Sequence, residues 1–294
     1  MRGAHPERAL ERAVKHGGTI RRGESLLVAC SGGSDSVALA AVLQAVAKPL
    51  ELRLALGHVN HGLRRSAWQD EAVVLRVAAA LRLPVRIAAL KPGKSDEATL
   101  REARYAALAA LARDVGAVAV ATAHAAEDQT ETLLLALFRG SGLAGFAGMP
   151  PRRPLAEGIE LVRPLLRAER PVLQRYVQRA GLPYAVDPTN ADPGYRRNAV
   201  RQALETLRPL FPGLDAAAAR AAELAAADVA GSPVAVLRRQ VREALREQEA
   251  LRDVDFEHVE AVVRVLERGG SGRFYMKDGI DIVIEKGELT VHRA

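Results

Sequence analysis

The pattern of apolar and polar positions changes period along this chain and divides it in two. Between residues 24 and 138, short continuous apolar runs alternate with longer runs whose apolar residues recur at helical spacing. The short runs (25–30, 52–59, 85–90 and 117–123) predict buried strands. The longer runs (37–47, 67–82, 97–113 and 128–138) predict helices. Such alternation implies an α/β fold, a Rossmann-like parallel sheet with helices on both faces. Gly140, Gly142, Gly145, Gly148, Pro150, Pro151 and Pro154 then interrupt the pattern and predict a loop. A short apolar run follows at 161–166, then an amphipathic helix over 169–180 closed by Gly181. Past Pro209 and Pro212 the composition shifts to Ala, Glu and Arg, which predicts helices over 215–230, 233–249 and 256–268. A small β element is expected from 273–277, 279–285 and 288–292. The expected domains are therefore 1–212 and a mainly helical 213–294.

Chemistry concentrates where the strands end. Ser31-Gly32-Gly33-Ser34-Asp35-Ser36 joins the first strand to the first of these helices. A strand–turn–helix of this kind aims free backbone N–H groups and the positive end of a helix dipole at one spot, which suits a phosphate or pyrophosphate. The two glycines permit the sharp turn, and Ser31, Ser34 and Ser36 add hydroxyl donors. Asp35 would repel phosphates unless a cation such as Mg²⁺ intervened, which makes it the candidate metal ligand. The other common phosphate loop, G-x-x-x-x-G-K-[ST], is absent.

The second strand ends in Gly57-His58-Val59-Asn60-His61-Gly62-Leu63-Arg64. Two histidines three apart, with no third ligand type nearby, argue for a nucleotide contact at His58 rather than a metal site. After the fourth strand come His124 and then Asp128, Glu131 and Thr132, spaced to share one face of a helix's first turns. Acids there are ordinarily caps. The helix beyond is so apolar that it is expected to be buried, with its carboxylates facing the site, where they suit Mg²⁺ or an amino-group substrate. A polar loop from Asp187 enters a helix carrying Arg196, Arg197, Asn198 and Arg201. Arg197 and Arg201 lie on one face, and cations at a helix start oppose the dipole, which favours a phosphate-clamping role.

Charge and cysteine usage sharpen this picture. The chain of 294 residues carries +7, and residues 150–210 hold 11 arginines, no lysines and six acids, or +5, leaving +2 for the remainder. That local excess fits a polyanion-binding face. One cysteine, Cys30, excludes an internal disulfide, a cysteine-held iron–sulfur cluster and a two-cysteine sulfur relay. No apolar stretch approaches the roughly 20 residues needed to span a bilayer, and Met1–Arg8 lacks the apolar core of a secretory signal. A cytoplasmic protein with no membrane partner is expected.

Together these motifs resemble the tRNA(Ile)-lysidine synthetase family of the ATP-pyrophosphatase (PP-loop) superfamily. The resemblance rests on SGGSDS at 31–36, HVNHGLR at 58–64, the acidic run at 123–132, RGSGLAG at 139–145, RPLL at 163–166 and DPTNADPGYRRNAVR at 187–201, with Glu102-Ala103-Arg104-Tyr105 similar to a family helix. Ala125 departs from it, standing where the family often has a second histidine beside His124. The chain looks like a short version of the family. The resemblance implies that ATP adenylates the C2 oxygen of the wobble cytidine in a CAU-anticodon isoleucine tRNA. Free L-lysine then displaces AMP. It implies that Ser31, Gly32, Gly33, Ser34, Asp35, Ser36, His58 and His124 bind ATP, and that Asp35, Asp128 and Glu131 are catalytic. Arg104, Asp128, Glu131, Thr132, Arg196, Arg197, Asn198 and Arg201 would meet lysine or tRNA, and residues 213–294 the tRNA body. Two alternatives stay open: a PP-loop amide synthetase of small molecules, and a non-catalytic nucleotide-binding module. Oligomeric state is open between monomer and homodimer. Asp35→Ala is expected to abolish AMP formation from ATP, and AMP released at the wild-type rate would refute its role.

Overall fold

The structure, a computed structural model, describes residues 6–60, 67–90, 97–185, 196–247, 256–275, 280–285 and 288–293. The chain forms two compact units, one from residues 1–140 and 148–220, the other from 141–147 and 221–294.

The first unit is built on a six-stranded sheet. Its strands are β1 (Ser25–Ala29), β2 (Arg53–Asn60), β3 (Val85–Ala89), β4 (Ala119–Ala121), β5 (Arg152–Ala156) and β6 (Ile159–Val162), in the order β3-β2-β1-β4-β6-β5. All neighbours run parallel except β5 and β6. Because successive strand residues point to opposite faces, β1 feeds two cores. Leu26 and Val28 enter one, with α1 (Pro6–His16), α2 (Ser34–Leu50), α3 (Ala67–Leu81) and α7 (Arg170–Arg179). Leu27 enters the other, under α4 (Glu97–Asp114). Each of these fully buried leucines contributes roughly 1.5–3 kcal/mol relative to exposure. The strand order reverses between β1 and β4, and in open parallel sheets the crevice at such a reversal is where ligands sit.

The parallel sheet and its helices are as the periodicity predicts. The difference lies at one edge. The segment 150–154 was expected to be loop, yet β5 starts at Arg152 and pairs antiparallel with β6. Pro154 hides this strand from sequence reasoning, but an edge strand tolerates a residue that cannot donate to the ladder. Within the preceding glycine-rich segment, Leu143–Phe146 forms a short helix, α6. Helix α5 (Ala126–Phe138) begins two residues earlier than predicted, and α8 (Arg196–Leu207) and α9 (Leu214–Val229) follow α7.

In the second unit α10 (Pro233–Glu247) and α11 (Phe256–Glu267) accompany an antiparallel sheet of β7 (Gly272–Tyr275), β8 (Ile280–Glu285) and β9 (Glu288–Arg293). Ile280, Ile282 and Ile284 point from one face of β8 onto Val241, Leu245, Val259, Val262 and Val263. Among the described residues, no helix is long and apolar enough to cross a membrane.

Gly57 sits where β2 passes β1, and a Cβ there would lie 2.8 Å from Leu27 Cδ2 and 2.9 Å from its Cγ. Leu27 is fully buried and cannot yield cheaply. Gly57→Ala should therefore cost about 1–3 kcal/mol of stability by overpacking, read from urea unfolding. An unchanged midpoint would show that this core can shift.

Candidate active site

The turn from β1 into α2 is held by its own atoms. Gly32 adopts φ +92°, and a Cβ there would stand 3.2 Å from the Asp70 carbonyl oxygen on α3, so conformation and space both require glycine. The Ser36 hydroxyl donates to the Gly33 carbonyl at 2.8 Å and accepts from the Ser31 N–H at 3.2 Å. Its proton thus shapes the loop. The Ala185 N–H donates to the Gly32 carbonyl at 2.8 Å and fixes the turn from outside. The Val37 N–H is the first to bond back, to Gly33. The amides of Ser34, Asp35 and Ser36 precede it in the first turn, where no intrahelical carbonyl can reach them. No side-chain cap covers this helix start. The loop therefore presents an anion cradle.

Beside it lies an ion cluster centred on a residue that the sequence did not single out. Arg170, at the start of α7, donates Nε to Asp35 Oδ2 at 3.1 Å and a terminal nitrogen to Asp128 Oδ1 at 2.8 Å. A second terminal nitrogen lies 3.7 Å from Glu131 Oε1, and the Arg170 backbone N–H donates to Glu127 Oε1 at 2.8 Å. One guanidinium thus joins the phosphate loop to the first turns of α5. Burial pushes the Asp35 carboxyl up, Arg170 opposes that, and Asp128 adds to it. Burial also raises Glu127, whose Oε2 has no hydrogen-bond partner among the described residues. Burial works against the Arg170 charge, but Asp128, Asp35, Glu131 and Glu127 together hold it above the ordinary arginine value. A signal for this residue did exist: like Arg197, it is a cation at a helix start, where it opposes the dipole.

Asp128 does two things. Its Oδ2 accepts from the Ala125 N–H at 2.8 Å and caps α5, while Oδ1 takes Arg170. Glu131 is fully buried, and both its oxygens meet guanidiniums. Arg197 Nε is 2.9 Å from Oε2 and Arg201 Nε is 2.8 Å from Oε1. Arg197 also donates to the Thr132 hydroxyl at 3.3 Å, which itself donates to the Asp128 carbonyl at 2.7 Å. The acids and arginines expected at the site thus pair with each other and lock α8 onto α5. Deeper on α5, the Thr130 hydroxyl donates to Asp215, which also takes Arg208.

His58 is buried, and its Nδ1 stands 2.9 Å from the Cys30 carbonyl. A carbonyl only accepts, so Nδ1 carries a proton and donates it there. His124 Nδ1 meets the Thr122 hydroxyl at 3.0 Å. Burial, and after it Arg163, Arg197, Arg101 and Arg104, pushes His124 down to about 3, so its imidazole is neutral at physiological pH. Arg104 lies over the Tyr105 ring, 5.4 Å from its centroid. Asn198 sits on α8, as does the backbone of Arg196. The side chain of Arg196, residues 61–64 and the loop 187–195 lie outside the described residues.

A family model described as a PP-loop domain matches residues 4–207. The chain is 43% identical over 236 residues to a tRNA(Ile)-lysidine synthase of Salinispora tropica, an alignment covering 77% of this chain and 70% of that protein. It is 34% identical to the same-named protein of Geobacter sulfurreducens over 94% of this chain and 66% of the other. It covers 42% of the one from Symbiobacterium thermophilum, to which it is 41% identical over 66% of its own length. Among solved structures, a U34-tRNA thiolase from Methanococcus maripaludis with its [4Fe-4S] cluster superposes with a TM-score of 0.62 at 17% identity, covering 74% of this chain and 78% of that one. That likeness shows the fold alone.

Asp35 and Glu127 bind protons more tightly folded than unfolded, so the stability that they contribute falls as pH rises above the ordinary carboxylate range. Removing the Arg170 charge raises both further. Arg170→Met should lose about 3 kcal/mol at pH 8, discounted for partial exposure, and distinctly less at pH 5. Equal losses at both pH values, by urea unfolding, would refute the electrostatic role of Arg170.

Proposed function

The chain belongs to the tRNA(Ile)-lysidine synthase family of PP-loop proteins, and on that premise we propose that it ligates free L-lysine to C2 of the wobble cytidine in a CAU-anticodon isoleucine tRNA, consuming ATP and releasing AMP and pyrophosphate. The observation that carries this reading is the Arg170 cluster, which brings Asp35 of the phosphate loop together with Asp128 and Glu131. On this reading phosphate binding and cation binding would share one place.

The division of labour follows from geometry. The first-turn amides of α2, with Gly32 and Gly33 and the Ser31 and Ser34 hydroxyls, would hold the ATP phosphates. Ser36 would act through the loop shape that it fixes. Among the described residues, no group of three or more His, Cys, Asp or Glu side chains stands ready for a metal. Mg²⁺ commonly takes one or two carboxylates and completes its shell with substrate phosphates and water. Asp35 would supply the carboxylate, with Asp128 beside it. The ion would neutralise charge on the departing pyrophosphate. His58, Arg104, His124 and Thr132 would line the nucleotide and base pocket.

In the first step the cytidine C2 oxygen attacks the α-phosphorus and pyrophosphate leaves. In the second, the lysine ε-amine attacks C2 and AMP leaves. Asp128 and Glu131 would orient the lysine ammonium and take part in its deprotonation. Their charge is now met by Arg170, Arg197 and Arg201, so an entering ammonium would bind by exchange with a guanidinium. Arg196, Arg197, Asn198 and Arg201 would then face ATP or tRNA phosphates. The unit containing α10 and α11 would hold the tRNA body through backbone contacts, at a cytoplasmic site of action.

The test is AMP release from ATP, Mg²⁺, lysine and CAU-anticodon isoleucine tRNA, omitting each in turn. AMP that requires tRNA, and labelled lysine that enters the tRNA, are expected. AMP without tRNA would instead indicate a small-molecule amide synthetase, and intact ATP binding with no AMP a non-catalytic module.

A further inference from the structure

A second group of arginines stands apart from the paired ones. Arg101 and Arg104 on α4 and Arg153 on β5 bring their guanidiniums to 5.5, 5.4 and 5.4 Å from the centroid of the Tyr105 ring. Arg163, one residue past β6, completes the group: Tyr105, Arg153 and Arg101 all act on its guanidinium. It is 2% exposed and donates one terminal nitrogen to the Pro150 carbonyl at 2.6 Å, while its Nε has no partner among the described residues. The Tyr105 hydroxyl, also buried, has none either.

The contrast with nearby arginines is sharp. Arg152 is held by Glu24 and Glu160, Arg170 by Asp35 and Asp128, and Arg197 and Arg201 by Glu131. No carboxylate of the described residues pairs with Arg101, Arg104, Arg153 or Arg163. Four like charges around one buried ring are costly without a counter-anion. Their field reaches their neighbours. Burial pushes the Tyr105 hydroxyl up, yet the four guanidiniums outweigh it and leave the group below the ordinary tyrosine value. Three of the four also act on His124 at the end of β4.

We propose that Arg101, Arg104, Arg153 and Arg163 around Tyr105 form a phosphate-binding subsite that takes an RNA phosphodiester next to the base being modified, which rests on the reading of tRNA as substrate. Guanidiniums match phosphate oxygens with paired donors. Arg163 and His124 lie at the carboxyl ends of β6 and β4, where ligands of such sheets sit. The ATP phosphates already have the start of α2, which packs on the opposite face of the sheet from α4. Guanidiniums over the Tyr105 ring leave it unsuited to stacking on a base, so the group reads charge rather than sequence.

The test compares the wild-type protein with the double variants Arg101→Gln/Arg153→Gln and Arg101→Lys/Arg153→Lys. Affinity for a CAU anticodon stem–loop RNA is measured over a range of KCl, and ATP affinity by calorimetry. The glutamine pair should bind the stem–loop on the order of ten-fold more weakly, with a log–log salt slope smaller by about 1.4, two contacts' worth for single-stranded RNA. The lysine pair should regain the slope, and ATP affinity should stay within about twofold of wild type on this assignment. Unchanged RNA affinity and slope would overturn the subsite, and a loss confined to ATP would hand these arginines to the nucleotide and overturn the RNA assignment. Weakened stem–loop binding in a protein that never incorporates lysine would sink the lysidine reading while upholding the subsite.

Discussion

The first unit depends on one guanidinium. Asp35, Glu127, Asp128 and Glu131 gather at the starts of two helices, and Arg170 contacts all four from the start of a third. Asp35, Glu127 and Asp128 gain from the positive end of their own helices, while Arg170 loses from its own. Without the cation, three buried carboxylates and the half-buried Asp35 would repel one another, and the cheapest relief would be protonation or local opening. With it, the phosphate loop, α5 and α7 are tied at one point. On the proposed function, a substrate ammonium would meet carboxylates already held in place, and it would bind by displacing a guanidinium from them.

The loop next to that cluster is rigid for a different reason. Its shape is over-determined: Gly32 is confined by the Asp70 carbonyl, its own carbonyl is taken by the Ala185 N–H, and the Ser36 hydroxyl ties Gly33 to Ser31. Three separate elements thus fix the direction in which the first-turn amides of α2 point. A serine-rich loop need not offer every hydroxyl to a ligand. Some are used to keep the amides aimed, and Ser36 is of that kind.

The sequence made the fold legible wherever one physical signal dominated. Parallel strands buried on both faces are continuous apolar runs, and 25–30 and 52–59 could hardly be anything else. The β5–β6 hairpin was lost because an edge strand is half exposed and can carry Pro154, which looks like a loop residue in one dimension. The site was legible as a set of residue types and not as a set of partners. Asp128 and Glu131 were visible as acids at the mouth of a very apolar helix, and Arg197 and Arg201 as cations opposed to a helix dipole, but spacing along the chain cannot show that Glu131 is gripped by arginines 66 and 70 residues away. Arg170 escaped for the same reason: its neighbours in space are 135 and 42 residues off.

Net charge conceals the same distinction. The arginine excess between residues 150 and 210 suggested one polyanion-binding face, yet most of its described members near the sheet are neutralised internally. Arg152, Arg170, Arg197, Arg201 and Arg208 all have carboxylate partners. A paired guanidinium adds little long-range field and costs its partner's desolvation to remove, so until a ligand displaces it from its partner it contributes cohesion. An unpaired one keeps its field and its donors for a ligand. By that criterion Arg153 and Arg163, with Arg101 and Arg104 from outside that segment, are the arginines of the first unit that would add to the anion cradle of α2 on the proposed reading. Among the described residues, where cations fail to find acids, rather than where they are dense, is the better physical guide to a candidate anion site.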